Sequence, residues 1–600
     1  MPEYYDVLIK NGLIVDGSGK PAYPGSLGIQ GEVITAIGTV EGEAKQTIDA
    51  SGKVISPGFI DPHSHADITL MKYPYAENLV MQGITTVIAG NCGMSLAPFP
   101  TDAGSDILTA MKNALGGALD VTWQTFEEWL DCLQQYQISV NYAPLVGHSM
   151  LRTATMGMQT FRHATEQEVQ AMKLLTEEAM RSGAFGLSAG LDGAWPGAYA
   201  DVDAEIVELA KIAQVYGGFY APHTRFHQNQ WYADSVDQHG YGIYHGPKGE
   251  VFAGRYHGLL ETVEICRKAN GIPANIAHFT PAYIIPLPQP AYLAEAVARA
   301  TLEEIIDKAW EAGLKVMFNV VAWDHHIGGW TPIIDSFYSF QLALPTWLRT
   351  MKKTEFAAAL KNWDFREKVK DLVYSGTFKF NMVNPAAEPY WMDNSRVLTC
   401  KNPEYIGKTI GEIARRRAPS SIKTAVYDES LDVLFDILVE DPEAGWVHFV
   451  DLRHQGVLPT FLKHHAASPC TDGFALSTDI KYEDGLFLYG VCPNYFSMFP
   501  HYINTYVKQE GTLTLEEAVR KATSVPAWDV LGLRDRGILK IGAFADVVVF
   551  DYSTIGEAGD YLQPTLPPHG ICQVLVNGSL VYENGHHSGA RPGRVLKRTG

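Results

Sequence analysis

The chain is poor in the features that mark several large protein classes. Only seven cysteines occur in 600 residues, at positions 92, 132, 266, 400, 470, 492 and 572. An odd and scattered set excludes a disulfide framework and reads as reduced thiols in a cytoplasmic protein. Positive charge is scarce, Lys+Arg 47 against Asp+Glu 67 for a formal −20. Such a balance disfavours phosphate backbones and anionic lipid, so no nucleic acid and no membrane is expected as a partner. No apolar run approaches the ~18 residues of a membrane span. The opening Met1-Pro-Glu-Tyr-Tyr-Asp lacks the basic start and apolar stretch of a secretory signal. Internal repeats and low-complexity tracts are missing as well. What remains is a soluble protein acting on a small-molecule substrate, alone or as a homo-oligomer.

Hydrophobic residues make up 46% and charged residues 19%, enough for a large core. Short β-rich runs punctuated by turns open the chain, as in Asp6-Val-Leu-Ile-Lys-Asn-Gly and Leu27-Gly-Ile-Gln-Gly-Glu-Val-Ile. The same texture returns in Ala545-Asp-Val-Val-Val-Phe-Asp and Val574-Leu-Val-Asn-Gly-Ser-Leu-Val-Tyr. Residues 1–57 and 530–600 are therefore expected to build one small β-sandwich together. Between them, strand-like and helix-like segments alternate: Ile84–Gly90 as strand, Thr165–Arg181 as helix, Ala184–Ser188 as strand, Ala204–Tyr216 as helix. Alternation implies a parallel sheet with helical crossovers. The expected fold is α/β, with a catalytic (β/α)8 TIM barrel over 58–529. Insertions are expected around 281–303, rich in Pro and Tyr, and 323–417, which opens with aromatics.

The chemistry concentrates at strand ends. In Pro57-Gly-Phe-Ile-Asp-Pro-His-Ser-His, a strand period of two turns His63 and His65 to one side, so both imidazoles can reach one cation. Cys92 follows the apolar run Ile84–Ala89, where barrel enzymes collect their reactive residues. His223 ends Gly218-Phe-Tyr-Ala-Pro-His, and His278 ends Ile272-Pro-Ala-Asn-Ile-Ala-His. Asp472 lies in Ser468-Pro-Cys-Thr-Asp-Gly, with Asp479 as the alternative carboxylate. His148 in Val146-Gly-His-Ser is a further strand-end residue, expected behind the metal ligands. The pairs His325/His326 and His464/His465 read as loop or supporting residues.

These segments resemble the amidohydrolase superfamily, and others narrow the resemblance to its D-aminoacylase (N-acyl-D-amino-acid deacylase) branch. They include Gln82-Gly-Ile-Thr-Thr-Val-Ile-Ala-Gly-Asn-Cys-Gly, Gly183-Ala-Phe-Gly-Leu-Ser-Ala-Gly-Leu, Pro196-Gly-Ala-Tyr-Ala and Gly537-Ile-Leu-Lys-Ile-Gly-Ala-Phe-Ala-Asp. The similarity runs in order over nearly the whole chain. It implies one or two zinc ions held by His63, His65, Cys92, His223, His278 and Asp472, with Cys92 bridging two metal positions. It also implies Asp472 as the catalytic residue that takes a proton from the zinc-activated water and gives it to the leaving nitrogen.

The surroundings depart from the branch. Its members hold a substrate carboxylate with a Lys, an Arg and a Tyr. The matching stretches here read His278-Phe-Thr, Leu488-Tyr-Gly-Val-Cys-Pro-Asn-Tyr and Asp192-Gly-Ala-Trp-Pro. Arg225 is kept. Charged contacts of that kind contribute about 1.5–3 kcal/mol each. Their replacement points to the same chemistry on a substrate with an aromatic or apolar part and no free α-carboxylate. Arg225, Trp195, Phe279 and Tyr283 are the expected substrate contacts, with Trp323 as a further lining residue. The expected activity is hydrolysis of an amide-like C–N bond. Metal-assisted C–C cleavage or decarboxylation on the same scaffold is the alternative, followed by a non-catalytic relative, against which the complete ligand set argues.

Overall fold

The computed structural model describes residues 4–99, 121–157, 159–191, 195–225, 244–245, 251–252, 255–279, 291–323, 331–337, 345–349, 351–375, 391–418, 423–448, 457–480 and 491–598. Eight parallel strands form its centre. In chain order they are β1 (Phe59–Ser64), β2 (Ile84–Ala89), β3 (Asn141–Gly147), β4 (Gly186–Gly190), β5 (Phe219–His223), β6 (Ala274–Ile276), β7 (Val316–Val320) and β8 (Ala467–Pro469). Each pairs with the next in sequence. The ends of β1 and β8 meet through Asp472 N donating to the His63 carbonyl (3.0 Å) and His65 N donating to the Gly473 carbonyl (2.7 Å). This is a nearly closed (β/α)8 barrel, whose C-terminal strand ends carry function in such folds.

Almost every residue of these strands is buried, as a parallel sheet covered on both faces requires. The crossover helix Glu166–Ser182 shows how local sequence sets its limits. Thr165 and Glu168 form a reciprocal capping box at its start, and Gly183 ends it in the left-handed conformation.

The first five strands, Tyr4–Ile14, Tyr23–Gln30, Val33–Gly38, Glu43–Asp49 and Val54–Pro57, share one nine-stranded sheet with Val547–Phe550, Ile571–Val576, Ser579–Glu583 and His586–His587. Val547–Phe550 lies antiparallel to Val54–Pro57, with Val547 opposite Pro57. The sheet has a core of its own, in which Val7, Ile29 and Ile55 meet Val547 and Leu575.

A third core lies between β7 and β8 in the chain. Strands Thr331–Pro332, Ser395–Thr399 and Gly445–His448 make a small antiparallel sheet. The helices around it bury Phe356, Trp391, Leu434 and Trp446. This unit runs past the 323–417 expected for it, because the Gly445–His448 strand is its central one. The expected insertion at 281–303 also changes: Ala291–Thr301 is helix that continues through Leu302–Asp307 to Glu311 and feeds β7. Its Ala-rich run favours helix strongly. Residues 281–290 lie outside those described.

Candidate metal centre

His63 lies one residue before the end of β1 and His65 just after it, and both Nε2 atoms face one carboxylate oxygen. Asp472 Oδ1 is 3.2 Å from His63 and 3.4 Å from His65. The same His63 Nε2 is 3.5 Å from Cys92 Sγ, which in turn is 3.3 Å from His278 Nε2. His278 Nε2 then lies 3.0 Å from Nδ1 of His223. Six side chains from β1, β2, β5, β6 and β8, or the first residues after them, thus converge at one end of the barrel. Two groups of three within this set, His63/Cys92/His278 and His63/His65/Asp472, have donor atoms close enough to hold a metal ion.

The donor set fits a divalent cation. Ligand bonds of about 2.0–2.3 Å at tetrahedral angles separate donor atoms by about 3.3–3.6 Å, close to the spacings found. Without a cation the cluster is costly, since buried polar groups normally have partners. Nε2 of His278 faces both Cys92 Sγ (3.3 Å) and His223 Nδ1 (3.0 Å), and Nε2 of His63 faces both Cys92 Sγ and Asp472, a crowding of buried donor atoms that a shared cation relieves. Burial drives the His63 imidazole toward its neutral, metal-binding form, with a pKa below the ordinary value. Burial also pushes the Cys92 thiol well up, so a thiolate there needs a cation beside it. At Asp472 burial opposes the charge, but His278, His63 and His65 outweigh it and hold the carboxyl well below the usual range.

Backbone strain gathers here. Cys92, His278 and Asp472 have φ of 52°, 30° and 51°. Non-glycine residues adopt this region rarely, and mostly where the surroundings impose it. Around Cys92 the imposing contacts are tight. Gly93 N donates to Ser188 Oγ (3.1 Å), and a Cβ on Gly93 would lie 2.8 Å from Gly190 N.

A pattern of the amidohydrolase family matches residues 46–269 and 488–582, more than half of the chain. The chain belongs to the amidohydrolase family. Within it, the similarity is to the D-aminoacylase branch. D-aminoacylase of Alcaligenes xylosoxydans xylosoxydans is 29% identical over 601 residues, 99% of this chain and 98% of that protein. N-acyl-D-glutamate deacylase of the same organism is also 29% identical, over 100% of this chain and 98% of that protein. The crystal structure of N-acyl-D-glutamate deacylase from Bordetella bronchiseptica, with zinc and a phosphonate mimic of the tetrahedral intermediate, superposes with a TM-score of 0.68. It is 26% identical and covers 99% of this chain and 100% of its own. A D-aminoacylase structure described as having a binuclear metal centre gives the same TM-score, 0.68, at 26% identity over 99% of this chain and 100% of its own.

Around this amidohydrolase centre the expected residues take different places. Trp195 stands beside it, its ring 4.4 Å from that of His223. Arg225 is buried, its Nε 3.0 Å from both oxygens of Glu261 and its Nη1 donating to the Ala198 carbonyl (2.8 Å). His148 lies behind the Trp195 segment, 2.7 Å from Glu205, which also binds Arg152. Phe279 departs from expectation. Its ring stacks on Phe318 of β7 at 4.3 Å and meets Phe461 of the helix before β8, so among the described residues it packs in the strand–helix layer. Asn319, the next residue of β7, turns the other way and accepts the His278 N–H (2.7 Å). Trp323 packs on His501 at 4.2 Å. His464 pairs with Asp307 (3.0 Å) ahead of β8. Asp479 is exposed, its carboxylate taken by Ser477. Tyr283, His325 and His326 lie outside the described residues.

Sequence reasoning passed over Asp61. Its buried carboxylate accepts the backbone N–H groups of Thr471 (3.1 Å) and His63 (3.2 Å) and ties β1 to the Asp472 turn. Its place two residues before His63 was the available signal.

Proposed function

We infer that this amidohydrolase is a zinc-dependent deacylase that hydrolyses the amide-like C–N bond of an N-acyl compound. The observation that carries the reading is the pair of donor groups sharing His63, with spacings suited to one or two tetrahedral ions. His63, His65, Cys92, His223, His278 and Asp472 would hold the metal. When bound, zinc supplies a Lewis acid that polarises a carbonyl and makes water nucleophilic near neutral pH.

The chain's own residues do the rest. The Asp472 carboxylate takes the proton of the attacking water and gives it to the leaving nitrogen, so one group serves as base and then acid. Hydrogen bonds from the His63 and His65 rings favour the ionised form of that carboxylate. Trp195 covers His223 and keeps bulk water from that side.

The substrate is read from what surrounds the metal. Arg225 faces the buried Glu261 and the Ala198 carbonyl, so its charge is already offset by Glu261 and attracts a substrate carboxylate less. Trp195 offers an apolar aromatic wall. Both features support an N-acyl substrate bearing an apolar or aromatic group in place of a free α-carboxylate.

The test is zinc content together with turnover by the purified protein. Matched amides, with and without an α-carboxylate, should divide in favour of the neutral member by tenfold or more in kcat/KM. Zinc-replete protein inactive on every N-acyl, carbamoyl and lactam compound would refute the deacylase reading. A preference for the acids would refute only the substrate class.

A further inference from the structure

Asp472 reaches His63 and His65 from a left-handed backbone directly after β8, and two sets of contacts fix it there. One set belongs to β1: the His63 carbonyl accepts Asp472 N–H, and the Gly473 carbonyl accepts His65 N–H. The other comes from a short segment between β1 and β2 that no motif marks. Asn78 is fully buried there. Its Nδ2 donates to the carbonyls of Phe474 (2.9 Å) and Tyr495 (2.8 Å), and its Oδ1 accepts the N–H of Leu476 (2.7 Å). One turn on, Gln82 is equally buried; its Nε2 donates to the Tyr495 carbonyl (2.7 Å) and its Oε1 accepts Phe499 N–H (3.4 Å). At the near end, Glu77 accepts Thr478 N–H (3.0 Å). Three side chains of one segment thus fasten the backbone at 474, 476, 478, 495 and 499. The Phe474 ring they fix lies 5.8 Å from the His65 imidazole.

These bonds run across the structure. A side chain that merely capped its own helix would spend its polar atoms locally. The Asn78 side chain bonds main chain close to 400 residues away, two of the three bonds ending just beyond the proton-carrying aspartate. Losing them would take a buried acceptor from the Leu476 N–H and a buried donor from the Phe474 carbonyl, and the loop would shift to satisfy them, while Gln82 would still serve Tyr495. A displacement of about 1 Å at a reacting group can cost 10²-fold in rate.

We propose that Asn78, supported by Gln82, is a positioning residue that sets the Asp472 carboxylate against His63 and His65 by holding the backbone at 474–476. The proposal rests on the reading of Asp472 as proton carrier and metal ligand. Asn78→Asp keeps the shape and the acceptor for Leu476 but removes both donors. In the full zinc-loaded protein it is expected to lower kcat 10- to 100-fold with KM within threefold of wild type and zinc content unchanged. The cobalt-substituted protein gives a readout apart from turnover: its visible absorption bands should shift from those of wild type, because a coordinating carboxylate has moved. Gln82→Glu should move both quantities the same way by a smaller factor, and serves if Asn78→Asp does not fold. Unchanged kcat with an unchanged cobalt spectrum, or a loss of rate that follows zinc content alone, would overturn the proposal. Wild-type protein without turnover of any N-acyl compound would refute the deacylase reading instead, and the cobalt spectra would still decide what Asn78 positions.

Discussion

Cys92 Sγ lies 3.3 Å from His278 Nε2, and both residues hold left-handed backbones, with φ of 52° and 30°. Two strained residues facing each other in a buried site have little reason to persist unless something is held between them. Cys92→Ala is therefore expected to reduce bound zinc by at least half and to lower kcat/KM with it, because a ligand is lost. Elemental analysis beside kinetics checks this. Full zinc occupancy in the variant would remove Cys92 from the ligand set.

Asp472→Asn separates proton transfer from binding. The amide is nearly isosteric but cannot take a proton from water. General acid–base groups supply about 10²–10⁴-fold, so kcat should fall within that range while most of the zinc stays. A variant that keeps more than about a tenth of wild-type activity would exclude Asp472 as the base, since the loss would fall short of that range.

Phe279 should prove to be a packing residue. Phe279→Ala opens a cavity between Phe318 and Phe461, and large-to-small changes of this kind cost about 3–5 kcal/mol. Urea denaturation should show that loss, while KM stays within a few-fold. A tenfold rise in KM at unchanged stability would return the ring to the substrate.

Lys521 gives a pH signature away from the metal. It is buried, its Nζ donates to the His464 carbonyl, and burial pulls its pKa from 10.5 to about 8. Between these values the unfolded chain holds a proton that the folded chain lacks, so this residue makes stability rise with pH from about 8 to about 10.5. Below about 8 both states are protonated and its burial cost is felt in full. Lys521→Met should remove that rise, which amounts to a few kcal/mol on the order of 1.4 per pH unit. Urea midpoints of both proteins at pH 7 and pH 10 measure it, and a parallel dependence in the two would exclude the assignment.

Much of the centre was legible in the chain. His63 and His65 were readable because a period of two is a local property, and their Nε2 atoms do meet one oxygen. The same rule places residue 279 on the face opposite His278, and it weighs more than the aromatic character that suggested a lining role. The extent of the inserted unit was harder to see. Leu431–Leu438 has the apolar content of any barrel helix, and only its burial against Phe356 and Trp391 assigns it to a separate core. Asn78 left no local trace, because its partners are fixed by the closure of the barrel and not by neighbours in sequence.

The shared sheet sets an order on how the molecule comes into being. Val54–Pro57 pairs with Val547–Phe550 across nearly 500 residues of chain. At about 5–20 residues per second, the ribosome delivers the second strand roughly half a minute to a minute and a half after the first. Throughout that interval the edge that later receives Val547–Phe550 is open, directly beside the start of β1, which carries His63. A nascent chain of this protein therefore needs its apolar edge shielded, by transient contacts or a chaperone, until its last strands emerge.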